Sequence, residues 1–394
     1  MTPTLRRWAP VHLLIPALVA LLACGSPSST APNSSASQGQ TAVPATVPSD
    51  ATPQQPATIQ IHEVPASVTE LLQDYRTDGE EIVFSAGPLN DPAMTAPDLY
   101  RYNRESGERE LIFDNPNRDS YLLPVAVSDG QYAFAELNSR LYGADGWGLW
   151  YLSSDAATPR MLDHSDRDQE MASPIPLMTL SGNRLVWQAF HQTSTGLRSE
   201  LLLAALPEGD KQVLFSARPD TEAQYWTPSL DGDRLVYSVV DYAQANTPRY
   251  VYLLDLSAPT TAPRRLDTSG RAVTPAIHAD NVVWKEADDV FDWGTITHLS
   301  LTDGRMSHLN FGRQTLLNYP SVGGRFVAAW GRDYGVIYVY DLVKHAAVLV
   351  EEWPQSPPAI SVRPLIGGDL LLWVSSIEPD DSLHLKWSEL PPVS

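Results

Sequence analysis

A ten-residue pattern recurs down this chain: a Pro, a Gly four positions later and, after a short apolar run, an aromatic residue nine positions later. It is complete from Pro228 to Tyr237 around Gly232 and from Pro364 to Trp373 around Gly368. Pro275 to Trp284 keeps both ends with Ala279 in place of the Gly, and the copy at Pro320 and Gly324 ends on Ala329, with Trp330 one residue further. Looser copies run from Tyr75 to Phe84 around Gly79, from Pro124 to Phe134 around Gly130 and from Pro176 to Trp187 around Gly182. The starts are separated by 49, 52, 52, 47, 45 and 44 residues. A drifting period of that size is the length of one small sheet, and it overrides the two or three separate domains that chain length alone suggests.

The chemistry of the pattern fits a hairpin. Asp-Gly, Ser-Gly and Gly-Gly pairs suit a tight turn that needs positive φ, and the following run, rich in β-branched and aromatic residues, suits a buried strand. Each copy continues into a second alternating pair, such as Asp98 to Tyr102 with Arg109 to Phe113, or Tyr250 to Leu256 with Arg264 to Leu266, joined by turn residues such as Ser106-Gly107 and Asp303-Gly304. Four strands per copy and seven copies predict an all-β fold, a seven-bladed β-propeller of four-stranded antiparallel blades over residues 58–394. The last copy is one strand short, because little chain follows Ser382 to Trp387. The alternating stretch Thr58 to Val64 precedes the first copy, and it is expected to supply the missing outer strand and close the ring, since an open edge would leave backbone groups unpaired. The alternative is six blades with an irregular entry segment. With 33 Pro and 23 Gly, a mostly helical chain is excluded.

Asp231-Gly-Asp-Arg-Leu-Val-Tyr-Ser238, followed by Tyr250 to Leu256 and Arg264 to Asp267, resembles the repeat of TolB-like propellers, with weaker copies through residues 66–390. The resemblance implies the fold but little about activity, because propellers with this repeat include periplasmic scaffolds, peptidase subdomains and lipoproteins. The family's usual Ser-Pro-Asp-Gly stretch is mostly lost here. TolB proteins proper have six blades and a separate N-terminal domain, for which this sequence has no counterpart.

The first 23 residues carry Arg6 and Arg7 and then an apolar run from Val11 to Ala23, too short to cross a bilayer as a helix and typical of a secretion signal. Leu21-Leu-Ala-Cys24-Gly25 resembles the lipobox of bacterial lipoproteins, which implies cleavage before Cys24 and acylation of that residue, the only Cys in the chain. The alternative is an ordinary signal with an accidental Cys. Residues 24–57 are mostly Ser, Thr, Pro, Ala, Asn and Gln, and are expected to form a disordered, solvated tether. The expected address is extracytoplasmic, lipid-anchored to a bacterial membrane. A formal net charge of −20 excludes nucleic acid and makes anionic headgroups poor partners, so the membrane is expected to be met through the lipid anchor only.

No catalytic motif stands out. Tyr319-Pro-Ser321-Val-Gly323 lacks the first Gly of a nucleophile elbow, and Gly143 to Gly148 has the wrong spacing for a phosphate loop. No two His fall two to four residues apart, so no local transition-metal signature exists and no cofactor is expected, with calcium as the one open case. Asp163, Asp166, Asp168 and Glu170, and again Asp288, Asp289 and Asp292, place oxygens densely in expected loops, as calcium prefers, although neither has the EF-hand spacing and a solvated acidic loop is the simpler reading. In a propeller the loops joining second to third strands and those joining blade to blade open on one face. Tyr142, Trp147, Phe190, His191, Tyr242, Phe291, Trp293 and Tyr334, with Arg118, Arg167 and Arg218, are expected there. Aromatic rings mixed with charge on a rigid scaffold suit a recognition surface, or else pack between blades. Trp150, Trp187, Trp284 and Trp373 fall on expected strands and read as core.

Two function classes follow. The first is a non-catalytic, membrane-tethered module binding a peptide, protein or envelope glycan on the loop face. The second is an extracytoplasmic hydrolase or lyase whose acid and base converge from different blades at the channel mouth.

Overall fold

The repeated Gly positions are turns. Gly182, Gly232, Gly324 and Gly368 all take positive φ, and so does Ala279, the one non-Gly substitute in that series, at 48°. Each turn joins two strands of a blade in a computed structural model that describes residues 59–65, 70–88, 97–137, 146–156, 158–165, 175–258, 260–289, 292–312, 316–331, 336–352, 363–377 and 382–391. The expected signal, Cys24 and the tether lie outside the described residues.

The described chain forms seven four-stranded antiparallel sheets. The outer strand of the last sheet comes from the start of the described chain, β1 (His62–Glu63). Blade 1 is β2 (Glu70–Thr77), β3 (Glu81–Pro88), β4 (Asp98–Asn103) and β5 (Arg109–Phe113), from the inside outwards. Blade 2 is β6 (Tyr121–Ser128), β7 (Gln131–Leu137), β8 (Trp147–Ser153) and β9 (Arg160–His164), and blade 3 is β10 (Leu177–Ser181), β11 (Arg184–Thr193), β12 (Gly196–Ala205) and β13 (Gln212–Ala217). Blade 4 runs through β14 (Ala223–Asp231), β15 (Arg234–Asp241), β16 (Arg249–Asp255) and β17 (Arg264–Arg265), and blade 5 through β18 (Ala272–His278), β19 (Asn281–Glu286), β20 (Thr295–Ser300) and β21 (Met306–His308). Blade 6 is β22 (Leu317–Gly323), β23 (Phe326–Gly331), β24 (Val336–Asp341) and β25 (Ala346–Glu351). Blade 7 is β26 (Leu365–Gly367), β27 (Leu370–Ile377) and β28 (Ser382–Glu389), with β1 outermost. The protein is a seven-bladed β-propeller, and the six-blade alternative is excluded.

The closing strand is shorter than the seven residues the sequence suggested. Only His62↔Trp387 and Glu63↔Lys386 are paired in the ladder, with Val64 N donating to Leu385 O at 2.9 Å beyond it. His62 stacks on Trp387 at 4.2 Å between ring centroids, and Val64 is buried in the core shared by blades 7 and 1. Side-chain burial does much of the work that the short ladder does not.

The repeat length is written into the inner ring as hydrogen bonds between neighbouring blades. At the inner turns Asp129 N donates to Asp78 Oδ2, Gly182 N to Ser128 Oγ, Gly232 N to Ser181 Oγ and Ala279 N to Asp231 Oδ2, at 2.7 to 3.0 Å. One level higher, Leu230 N donates to Thr179 Oγ1, Ile277 N to Ser229 Oγ and Ile366 N to Ser321 Oγ. Donor and acceptor are 45 to 54 residues apart, one repeat. The short polar side chain before each turn satisfies an amide of the next blade that no strand reaches.

The aromatic end of the repeat is core. Trp187, Trp284 and Trp373 are fully buried, and Ala329 holds the same place in blade 6. Trp150 is only half-buried, on β8 beside the core shared by blades 1 and 2.

Candidate functional site

Second-to-third-strand and blade-to-blade connections share one face, and beside the axis on that face blades 5, 6 and 7 bring an aromatic cluster together. Trp330, at the upper end of β23, meets Trp293 edge-on at 4.7 Å and lies parallel to Tyr319 of β22 at 6.2 Å. The Arg363 guanidinium, just before β26, sits 4.4 Å over the Tyr319 ring. All four side chains are half-buried. Trp330 is there because of its offset: Ala329 fills the core position of the repeat, so strand alternation turns the next residue to the other side of the sheet. Tyr319 sits at a bulge in the inner strand at φ 47°, as do Thr227 and Thr274 in blades 4 and 5, each just before a Pro. Non-Gly residues in this conformation concentrate at ligand clamps and switch regions.

Trp293 is held in place from both sides. Gly294 and Leu317 exchange backbone hydrogen bonds of 3.0 and 2.7 Å, and a Cβ on Gly294 would lie 2.0 Å from Glu286 O, so only Gly fits. The preceding acidic loop is clamped by cations. Arg271 pairs with Asp288 at 2.9 Å, and Arg249 pairs with Asp289 at 3.2 Å and donates to Asp288 O. The Lys285 Nζ donates to Asp292 O at 2.7 Å and to Asn318 Oδ1 at 2.8 Å. Lys285 is fully buried, and burial pulls its pKa down to about 8. Of the calcium candidates read in the sequence, the carboxylates of Asp288 and Asp289 thus meet side-chain cations, and Asp292 meets one through its backbone carbonyl.

A second polar cluster lies between blades 2 and 3, away from the axis. Asp163 of β9 accepts hydrogen bonds from Trp187 Nε1 at 2.8 Å and from Lys211 Nζ at 2.7 Å. His191 of β11 lies between two carboxylates, its Nε2 3.2 Å from Asp163 Oδ2 and its Nδ1 3.0 Å from Glu200 Oε2. The Nε2 contact is a charge pairing, and Asp163 Oδ2 accepts from the Trp187 indole as well. Burial works to raise the Asp163 pKa, but His191 and Lys211 outweigh it and hold the group at about 2. Burial works against the charged form of His191 as well, yet the two carboxylates lift it to about 9, while the His191 hydrogen bond lowers Glu200. Asp163, His191 and Glu200 lie in the seam with Lys211 reaching in from the surface, and together they brace two blades.

Several residues expected on loops therefore belong to strands. Phe190 and His191 lie within β11 and Trp147 begins β8; Phe190 and Trp147 are buried, and the His191 side chain is 12% exposed. The strand ends run further up the blades than turn chemistry suggested, so rings meant for a surface pack between sheets, Trp147 edge-on to His191 and Phe190 edge-on to Trp226. Arg118 is committed to Asp98 and Asp114 at 2.5 and 2.8 Å. Arg218 is exposed, Tyr242 is half-buried, and among the described residues Trp293 is the expected aromatic that joins the cluster. Tyr142, Arg167, Phe291 and Tyr334, with Asp166, Asp168 and Glu170, lie outside the described residues. Among the described residues no group of three or more His, Cys, Asp and Glu gathers as a metal site.

Lys285, Asn318 and Arg363 were not singled out in the sequence, and Trp330 and Tyr319 were named there only in the repeat and in the rejected nucleophile motif. The displaced aromatic at Trp330 was the one visible signal.

No family model matches the sequence, and no curated protein matches it. Solved structures do resemble it. The β-propeller domain of the Trilobed protease from Pyrococcus furiosus, reported to have an open velcro topology, aligns over 81% of this chain and 95% of its own at 9% identity with a TM-score of 0.58. A prolyl endopeptidase aligns over 78% of this chain at 13% identity with a TM-score of 0.57, and this chain spans only 45% of that protein. TolB from Acinetobacter baumannii aligns over 81% of this chain and 78% of its own at 14% identity, with a TM-score of 0.42. At such identities the likeness is one of fold. A shared fold does not choose between binding and hydrolysis. Unlike the neighbour with the open topology, this ring is closed by β1.

Proposed function

We propose that this protein is an extracytoplasmic binding module, tethered to a bacterial membrane through acylated Cys24, that recognises a peptide, protein or envelope glycan on the loop face of the ring. The observation that carries the proposal is the Trp293, Trp330, Tyr319 and Arg363 cluster, half-exposed rings and a guanidinium held by strands and by the connections beside them near the axis. Rigid aromatic residues and Arg are the side chains that dominate recognition surfaces, and they lose little conformational entropy on binding when already packed. The acid and base groups that perturb one another, Asp163, His191 and Glu200, brace a seam instead of facing the axis, which weighs against the hydrolase alternative.

The test is a titration of the full-length protein with peptidoglycan fragments and with synthetic peptides, followed by tryptophan fluorescence and by product analysis. A saturable change that Trp330→Ala abolishes, with no bond cleaved, supports the proposal; turnover of either probe overturns it. Acylation is read separately, as loss of membrane association in Cys24→Ser.

A further inference from the structure

The outer rim of the ring carries exposed apolar residues at one level. Leu111 pairs with Tyr100, Met161 with Trp150, Val213 with Leu202 and Leu349 with Tyr338 across the outer two strands of blades 1, 2, 3 and 6. Those partners in turn pair with Phe84, Phe134, Trp187 and Ala329, the aromatic position of the repeat, so the four residues are structurally equivalent. Each is 44 to 51% exposed. A bulge at the same place in each blade turns the next residue, Ile112, Leu162, Leu214 or Val350, towards the core and leaves its neighbour outside.

The equivalent places in blades 4 and 5 hold Arg265 and His308. In blade 7 the place is held by Glu63, with exposed Ile61 two residues earlier on the entering chain. Exposed apolar side chains therefore follow the arc of blades 6, 7, 1, 2 and 3, and the arc includes the point where residues 59–61 join the ring. Met306, on blade 5 at another register, and Val343, on a turn of blade 6, stand outside this level.

We propose that the sector of this rim around blade 7, where Ile61 is flanked by Leu349 of blade 6 and Leu111 of blade 1, is a membrane-contact surface, which seats the tethered ring edge-on against uncharged lipid. The inference rests on the lipid-tether reading of residues 1–57. Single apolar residues on three neighbouring blades of a convex rim offer another rigid protein too little area at any one point, whereas a fluid lipid surface yields around them; Met161 and Val213 lie too far round the ring to reach the same plane. Residues 24–57 hold no apolar side chain larger than Val43 and Val47, so they cannot cover the rim themselves. A solvated tether of about 35 residues spans roughly 30–35 Å, so an anchor at Cys24 would keep the rim within reach of the bilayer. The net charge of −20 selects zwitterionic over anionic lipid.

The experiment reconstitutes the full acylated protein in phosphatidylcholine vesicles and measures flotation and backbone hydrogen exchange against the detergent-solubilised protein. We expect exchange at 59–64, 109–113 and 346–351 to slow at least threefold on vesicles, while 264–266 and 306–308 do not change. The triple variant Ile61→Ser, Leu111→Ser, Leu349→Ser should still float but lose that protection. Floating protein with no protected rim overturns the proposal, as does protection that appears in detergent with rising protein concentration, which would mark the rim as a contact between copies. Failure of the wild type to float overturns the tether reading instead; maleimide-lipid coupling through the lone Cys24 thiol then tests the rim without it.

Discussion

The seam between blades 2 and 3 and the seam between blades 7 and 1 do the same job with different chemistry. The first is polar at both ends. Ser128 accepts from Gly182 N at the inner turn, Gln131 donates to Gly182 O, and Asp163 gathers Trp187, His191 and Lys211 further out. The second relies more on shape, with Arg104, just after β4, pairing with Asp369 and Glu389 of blade 7 at 3.7 and 3.3 Å. At the inner turn Gly367 lies so close to blade 1 that a Cβ on it would sit 2.5 Å from Thr77 O, and Gly79 approaches Gly367 O in return. The side-chain bond across its upper end runs from Tyr75 Oη to Arg363 O at 2.5 Å, over a core of Tyr75, Phe84, Leu370, Leu372 and Trp387. A directional bond fixes register between neighbours, whereas close backbone approach and apolar burial tolerate the small adjustments a ring needs in order to close. The one break in covalent continuity within the ring lies inside blade 7, between β28 and β1.

The largest effect is expected from removing that closure. Deleting the chain through Val64 exposes the edge of β28, unstacks His62 from Trp387 and empties the Val64 site, for a loss of about 5 kcal/mol seen as a lower denaturation midpoint. An unchanged midpoint would mean that β1 is dispensable. Next comes Asp163→Ala, which leaves His191 with Glu200 alone, removes the counter-charge of the exposed Lys211 and leaves the buried Trp187 indole N–H without its acceptor, and should cost about 3 kcal/mol. Gly367→Val should cost about 3 kcal/mol by forcing blades 7 and 1 apart, against about 1 kcal/mol for Gly182→Ala, where positive φ is strained but nothing lies within 4 Å of the added Cβ. Equal costs at the two glycines would erase the contrast between the seams. Ser128→Ala should be the mildest, at about 1 kcal/mol.

The polar seam should also give stability a pH dependence. His191 holds its proton up to about pH 9 when folded, against about 6.5 when unfolded, so its contribution is complete below pH 6.5 and is lost as pH rises through 9. Lys285, between blades 5 and 6, has the opposite sign. Its pKa of about 8 when folded lies below its unfolded value, so the cost of burying its charge is felt below pH 8 and relieved towards pH 10.5. Unfolding midpoints measured from pH 6 to 10.5 should show His191→Gln removing the decline and Lys285→Met removing the rise. A His191→Gln profile that still falls from pH 6.5 to 9 would place the dependence elsewhere.

Much of the architecture was legible because a hairpin's needs are local. Gly232 and Gly368 mark turns, Tyr237 and Trp373 mark strands, and a period near 50 residues brings each copy back beside the last. Strand ends were less legible: Phe190 and His191 look like loop residues because Gln192 to Gly196 is polar, yet β11 runs through them to Thr193. The site was the least legible. Trp330, Tyr319 and Arg363 come from a second strand, a first strand and a blade-to-blade connection, and no spacing rule joins them.

What the amino-acid order determined alone was the unit: turn, alternation and copy number follow from φ preferences and side-chain period, which act over a few residues. What the tertiary structure decided was which residues of different units meet. The Asp163 and His191 pair, the Trp293 and Trp330 contact and the level of the rim residues depend on how far each sheet is rotated from the next, and that angle is set by packing across whole seams, where every blade contributes and no short stretch holds the information.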